Sequence, residues 1–569
     1  MKHSFRYIFI FLSFFFFLIL LYGAFVFLSI AKPKHYFEPK TRLHLIAMRG
    51  NILTKNYTLA KSDKIYGVYI YPEFLDKSKL GLFYKLFSYY SDEPISHIIT
   101  NIQKGELKGR RRILIAKVDL KTKQNLIYLN KILDKKGVFK SNKYGFRRGL
   151  EIVNLDFERA YPYGDIFEPF LGRYRKDIKR GENGIEEYYD YVLRAKRDGI
   201  KEGYRDVFGN IIYDGYSVVK QPVNGSDIKL NINLALQRKI EKLLDVQKEK
   251  FQAKEVIAAV MDSKTGKILA IATSNRYDPS HVTKKDIPNM KISAVRELYE
   301  PGSVMKPITL AILLELNKAN PYEMINTENG LWKPKWRKKP IRDDEKFKSL
   351  SVEDIIVHSS NIGISKLALR MSGEEQYEWL KKFGLASKSG IDLPYEVPGR
   401  IRPARLLNYE VYRTTTAYGY GILVNFVELL RAYNVFNDGG VLINPKIADV
   451  KTSKKQIISP KNAQIMLNIL RRVVLKGTGK AAFVDGLFTA GKTGTAHVSV
   501  YKKGYQNIYN SSFFGFVNDK NRKYTIGVTF LDIKAKWPNY FASSSAVPTF
   551  RKIIDIMINE NLLKVQNAK

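Results

Sequence analysis

No cysteine occurs among the 569 residues. Disulfides, thiolate zinc sites and a cysteine nucleophile are therefore excluded. Histidine is scarce: there are seven, none in a His-x-x-x-His spacing, so no metal site is expected. No His accompanies a Gly-x-Ser-x-Gly turn, which leaves a Ser-His-Asp hydrolase without a signature. A phosphate-binding Gly-rich loop is not expected either. Acidic residues are also in deficit, 55 against 95 Lys and Arg, a formal net charge of +40. That balance fits nucleic acid, an anionic membrane surface, acidic polymers, or plain lysine-rich solvated faces.

What is present excludes a disordered chain, since 45% of residues are hydrophobic and 13% aromatic. The length exceeds a single core and implies several units. Lys2, His3 and Arg6 precede residues 7–30, "YIFIFLSFFFFLILLYGAFVFLSI", which carry no charge. At ~1.5 Å per residue this run covers roughly 36 Å, enough to cross a bilayer. It is longer than the apolar core of a cleaved signal peptide, about 7–15 residues. The expectation is a short cytoplasmic tail (1–6) and an uncleaved transmembrane anchor (7–30). Lys32, Lys34, Lys40 and Arg42 follow the run, but long domains are exported largely regardless of such charges.

Residues 41–225 alternate strand-like runs ("KIYGVYIYP", "RRILIAKVDL", "GNIIYDGYSVV") with helical ones such as "FYKLFSYYSD". They read as one extended α+β domain without a reactive cluster. From 226 to 569 the texture changes. "DIKLNINLALQRKIEKLLDVQKEKF" predicts a short strand and an amphipathic helix, and "VIAAVMDSKTGKILAIAT" predicts a hairpin. A helical block follows, then three neighbouring strand-like runs from "LFTAGKTGTAHVSVY" to "KYTIGVTFLDI", and a terminal helix in "VPTFRKIIDIMINENLL". The implied fold is a β-sheet flanked by helices, within an α+β multidomain chain.

Three short patterns in the second region carry chemistry. Ser303 and Lys306, in "ELYEPGSVMKP", stand three apart at a predicted helix start and so share one helix face. A lysine can replace histidine as the base only if its pKa, ordinarily ~10.4, falls by about 3 units, and a second cation nearby would help. Ser-x-x-Lys alone is weak evidence, because it recurs at Ser29, Ser217, Ser226 and Ser499. Ser359 and Asn361 lie 56 residues beyond Ser303, between helical runs. A further 133 residues on, Lys492-Thr493-Gly494-Thr495 opens a predicted strand. There Lys492 supplies a cation, Thr493 and Thr495 offer hydroxyls, and Gly494 would let a ligand backbone approach. A second Lys-Thr-Gly, at Lys264, falls in the hairpin turn and reads as turn chemistry.

Ser-x-x-Lys, Ser-x-Asn and Lys-Thr-Gly in this order resemble class B penicillin-binding proteins, the monofunctional peptidoglycan transpeptidases. "AYGYGI" (417–422), "GTGKAA" (477–482) and "AGKTGTA" resemble the division-type branch. "RGNILTKNYTLAKS" (49–62) and "GENGIEEYYD" (181–190) resemble the family's N-terminal pedestal motifs, with Thr54-Lys55-Asn56-Tyr57 in place of the usual Asp-Arg-Asn-Gly. The resemblance implies a pedestal (dimerisation-type) domain at 41–225 and a serine β-lactamase-like transpeptidase domain at 226–569. It also implies roles: Ser303 as nucleophile, Lys306 as its base, Ser359 and Asn361 relaying a proton and holding the donor peptide. Lys492, Thr493, Gly494 and Thr495 would bind substrate, and the N–H groups of Ser303 and Thr495 would form the oxyanion hole. No cofactor is implied. The implied ligands are D-Ala-D-Ala stem peptides and β-lactam antibiotics; the implied partners are the membrane, a multispan glycosyltransferase and divisome proteins, and no nucleic acid. The implied location is the cytoplasmic membrane, single-pass, with the catalytic domain on the periplasmic side. An elongation-type enzyme, or a membrane-anchored β-lactam sensor or scaffold, is the alternative.

Overall fold

The computed structural model describes residues 2–30, 41–141, 147–204, 211–215, 217–500 and 504–566. The flanking cations Lys32, Lys34 and Lys40 lie outside the described residues. The N-terminal run forms a single helix, Lys2–Ile30. Within it Tyr7–Ser29, with mean hydropathy 2.6, is long and apolar enough to cross a membrane.

Two compact units divide the chain, and both draw on the region before residue 225. The first comprises Met1–Ala47, Tyr66–Asp156 and Ala195–Asn224. In it, Tyr66–Ile70 pairs antiparallel with Ile113–Val118. The helices Leu80–Ser91, Ile95–Leu107 and Leu120–Lys135 pack Phe83, Phe87, Ile98, Leu126 and Leu129 into one core with Val68 and Ile115 of these strands.

The second unit comprises Met48–Ile65, Phe157–Arg194 and Gly225–Lys569. Its centre is a five-stranded antiparallel sheet of β1 (Glu255–Asp262), β2 (Ile268–Thr273), β3 (Phe488–Val500), β4 (Gly504–Asn518) and β5 (Lys523–Ile533). The order across the sheet is β2-β1-β5-β4-β3, which leaves β3 at an edge. β1 is apolar at nearly every position because both sheet faces are covered. Val256, Ala258 and Val260 face the helices α1 (Leu234–Phe251) and α7 (Ala546–Asn559). Ile257, Ala259 and Met261 face a helical block that includes α2 (Lys306–Glu315), α3 (Val352–Val357), α4 (Asn361–Ala368), α5 (Phe426–Asn437) and α6 (Pro460–Leu475). The turn between β1 and β2 is held by Asp262, whose Oδ1 accepts from Lys264 N (3.1 Å), Thr265 N (2.8 Å) and Thr265 Oγ1 (2.7 Å). The Lys264 triplet is thus occupied in turn formation.

The two motifs quoted from the N-terminal region meet inside this second unit. Arg49 is buried and binds Glu186 (Nη2 to Oε2, 2.7 Å) and Asp190 (Nη1 to Oδ1, 2.7 Å). Arg159 adds a second cation on Glu186 Oε1, also at 2.7 Å. The substituted segment Thr54–Tyr57 closes a tight turn, with Thr54 N donating to Tyr57 O at 2.7 Å and Tyr57 N to Thr54 Oγ1 at 3.2 Å. Thr54 therefore makes the turn with its own hydroxyl.

Removing Arg49 strands two buried carboxylates, and breaking a buried ion pair from one side costs about 3–5 kcal/mol. Arg49→Ala should lower the urea midpoint of unfolding by that equivalent. Lys264→Ala, on an exposed turn, should stay within about 0.5 kcal/mol of wild type.

Candidate active site

Pro301 and Gly302 turn the chain into a 3-10 segment, Gly302–Met305, which runs directly into α2. Gly302 has a φ of +60°, and Gly419, whose carbonyl accepts from Gly302 N at 3.1 Å, has a φ of +89°. A Cβ on Gly419 would lie 2.0 Å from the Gly302 carbonyl oxygen, so "AYGYGI" supplies a residue without a side chain against this turn. Pro307 sits in the first turn of α2, where its missing N–H costs no helical bond. Ser303 caps neither helical segment. It lines an open cleft of about 350 Å³ together with Ser359, Asn361, Thr493, Thr495 and Asp344.

Below the cleft lie two lysines with no exposed surface, Lys306 and Lys492. Lys306 Nζ donates to the Ser359 carbonyl and, at 3.0 Å, to Ser359 Oγ. Burial pushes its pKa down to about 7, against an upward pull from the Asp343 and Asp344 carboxylates. Lys492 is held well below the ordinary lysine range by burial first and by the Lys306 charge second. The expectation that a second cation depresses Lys306 is corrected here. Burial depresses Lys306, and the like-charge penalty falls on Lys492, so the two do not both stay protonated near neutrality.

The Ser-x-Asn segment separates α3 from α4, and Ser359 itself has a φ of +58°, an uncommon conformation for a residue with a side chain. Asp343 holds the start of α4: its Oδ1 accepts from Asn361 N (2.6 Å) and Ile362 N (3.0 Å), and its Oδ2 accepts from Ser360 Oγ. Asn361 Nδ2 donates to the Arg342 carbonyl at 2.8 Å, which fixes the side chain's direction. Asp343 and Asp344 went unnoticed in the sequence, because no spacing ties them to Ser359 or to the lysines.

On the edge strand β3, Lys492 Nζ donates to Thr493 O and Thr493 Oγ1, both at 3.3 Å. Thr493 Oγ1 also shares a 2.7 Å bond with Thr478 Oγ1, from "GTGKAA". Thr495 Oγ1 accepts from Ala542 N at 3.1 Å. Gly494 serves a different purpose from the one expected. A Cβ there would lie 2.8 Å from the Pro301 carbonyl and 2.9 Å from Val304 Cγ1, so the glycine lets the Ser303 turn seat against the strand. Residues 486–493 also spell Gly-x-x-x-x-Gly-Lys-Thr, the phosphate-loop lettering not expected from the sequence. Here the lettering runs into a continuous strand, Phe488–Val500, with no helix N-terminus after it, so the anion cradle is missing.

Comparison with known proteins places this geometry among relatives. Residues 256–555 match the penicillin binding protein transpeptidase domain family, and residues 44–230 match the penicillin-binding protein dimerisation domain family. A probable peptidoglycan D,D-transpeptidase PenA of Neisseria meningitidis is 32% identical over 417 residues, covering 72% of this chain and 70% of that protein. The peptidoglycan D,D-transpeptidase FtsI of Buchnera aphidicola is 27% identical across 92% of this chain and 87% of its own length. Penicillin-binding protein 2X of Streptococcus thermophilus shares the fold with a TM-score of 0.72, at 21% identity, over 93% of this chain and 83% of that one.

The depressed Lys306 makes stability depend on pH. Its folded pKa of about 7 lies below the ordinary 10.5, so between those values the unfolded chain binds the extra proton and stability rises with pH. Lys306→Met should therefore outdo wild type most at pH 7. Its advantage in urea unfolding should shrink by about 1.4 kcal/mol per pH unit up to pH 10. An advantage independent of pH would mean that Lys306 keeps an ordinary pKa.

Proposed function

This chain belongs to the class B penicillin-binding proteins, and on that premise we propose that it cross-links peptidoglycan stem peptides through an acyl-enzyme on Ser303. The observation that carries this reading is a buried lysine of near-neutral pKa one turn beyond a serine that lines an open cleft. Near pH 7 a sizeable share of Lys306 is the free amine, able to take the Ser303 hydroxyl proton as Oγ attacks the carbonyl of a D-Ala-D-Ala bond. The C–N bond breaks, the terminal D-Ala leaves with a proton returned through Ser359 Oγ, and an ester on Ser303 remains. An amine of a second stem peptide then attacks the ester carbonyl, releases Oγ and leaves an amide cross-link. Asn361 would orient the donor peptide's amide. Thr493 and Thr495 would receive its carboxylate, with Lys492 supplying positive charge whenever Lys306 is neutral. The N–H groups of Ser303 and Thr495 would bind the oxyanion, each donor worth roughly 3–4 kcal/mol. A β-lactam would acylate the same oxygen.

The division-type motifs and the likeness to a protein named FtsI support a role in septal wall synthesis beside a multispan glycosyltransferase. The apolar helix Tyr7–Ser29 supports a single-pass anchor with residues 31–569 outside the cytoplasmic membrane.

A fluorescent penicillin should label one tryptic peptide, the one containing Ser303. Ser303→Ala should abolish labelling and leave the melting temperature within a few degrees, whereas Ser217→Ala, in a decoy Ser-x-x-Lys pair, should change nothing. Acylation should slow about tenfold per pH unit below pH 7, as Lys306 takes up its proton. A label retained by Ser303→Ala refutes the acyl-enzyme.

Location and role are tested in cells. A reporter fused after Lys569 should behave as exported, and depletion should give filaments. Rounded cells would assign the chain to elongation instead.

A further inference from the structure

A second cleft, of about 660 Å³, opens beside the first, and His497 lines both. Its charged lining groups are Glu297, Glu300, Arg400, Arg402, His497 and Asp532. Glu300 stands three residues before Ser303, a span of at most ~10 Å. Its Oε1 accepts from Gly421 N at 2.6 Å and from Tyr505 Oη at 3.3 Å. Its Oε2 is shielded from solvent and meets no hydrogen-bond partner among the described residues. A carboxylate oxygen in that state is costly unless something arrives to bind it. The Tyr505 ring packs edge-on against Tyr420 at 5.7 Å, and Tyr420 lines the Ser303 cleft, so the two clefts share a wall. Burial raises the Glu300 pKa while the Arg402 charge opposes it, and this makes the carboxylate a better base than an exposed one. Arg402 is tethered to the Tyr420 carbonyl at 3.4 Å and stacks on the Tyr412 ring at 4.8 Å; Arg400 is exposed beside it.

The geometry points to this cleft as the subsite for the second substrate, an amino-acid head that bears both the attacking amine and a carboxylate. The inference rests on the acyl-enzyme reading above. Glu300 Oε2 receives the ammonium and takes one proton from it, while Arg402 and Arg400 hold the neighbouring carboxylate. The freed nitrogen lone pair attacks the ester carbonyl at Ser303. The C–N bond forms, the C–Oγ bond breaks, and Oγ regains a proton from Lys306. The second proton of the nitrogen is lost to the same Glu–water surroundings, and the product is a neutral amide. The pairing of one carboxylate with two guanidinium groups selects a zwitterion over a simple amine.

The test measures how the acyl-enzyme from a thiolester donor partitions between amine and water, a ratio independent of how fast the acyl-enzyme forms. In the wild-type protein, glycine should intercept the acyl group about fivefold or more better than glycinamide. Arg402→Ala should erase that preference. Glu300→Gln should lower the amine-to-water ratio about tenfold or more at pH 7, and the ratio should recover near pH 10, where the amine is neutral without help. A merely structural Glu300 would give a loss that high pH does not repair. Equal interception of glycine and glycinamide by the wild type, which needs no variant to fold, overturns the subsite, as does an unchanged ratio in Glu300→Gln. Absence of any acyl-enzyme on Ser303 would instead refute the reading on which the subsite rests.

Discussion

Two lysine side chains packed without solvent contact under one cleft are the constraint around which the catalytic unit is arranged. A buried ammonium is expensive, and two close together are more so. The structure places no carboxylate in hydrogen-bond contact with Lys306, whose partners are both oxygens of Ser359. Asp343 spends its carboxylate on the start of α4, and it and Asp344 act on Lys306 only through space. A direct ion pair would raise the lysine pKa and remove it as a base. The unit keeps the acids near enough to hold the value about 7, and far enough not to restore an ordinary lysine.

Close backbone packing maintains that distance. The Ser303 turn touches β3 through Gly494 and the "AYGYGI" segment through Gly419, so three separate stretches of chain meet with almost no side chain between them. The positive φ of Ser359 is a local cost, offset because Ser360 and Asn361 are tied to Asp343 and the helix behind them is buried. Here the stability of the fold and the position of the reacting groups rest on the same contacts. β3 is an edge strand, which leaves one side of it available to an extended peptide.

The N-terminal motifs obey a related logic without chemistry. Arg49 and Arg159 surround Glu186, and Asp190 closes the cluster, so the opposite charges are buried together. The departure at Thr54–Tyr57 leaves this cluster untouched, because it lies in a turn that the Thr54 hydroxyl closes by itself.

Much of this was legible in the residues. The apolar run from 7 to 30, the β1–β2 hairpin around Asp262, the amphipathic helix after Asn233 and the order of the three motifs depend on local spacing and periodicity, which a sequence displays directly. The same holds for Pro307 at a helix start. Only the tertiary structure could decide which cation depresses which, since burial and not the neighbouring charge dominates at Lys306. Only it could show that Gly494 makes room for the Pro301 carbonyl, that Asp343 holds α4, or that Glu300 has an oxygen without a partner. Those properties belong to atoms brought together from distant parts of the chain, and sequence spacing carries no record of such distances. Side-chain type and local period were therefore fixed by the sequence alone, and pKa, access and free valence by the packing.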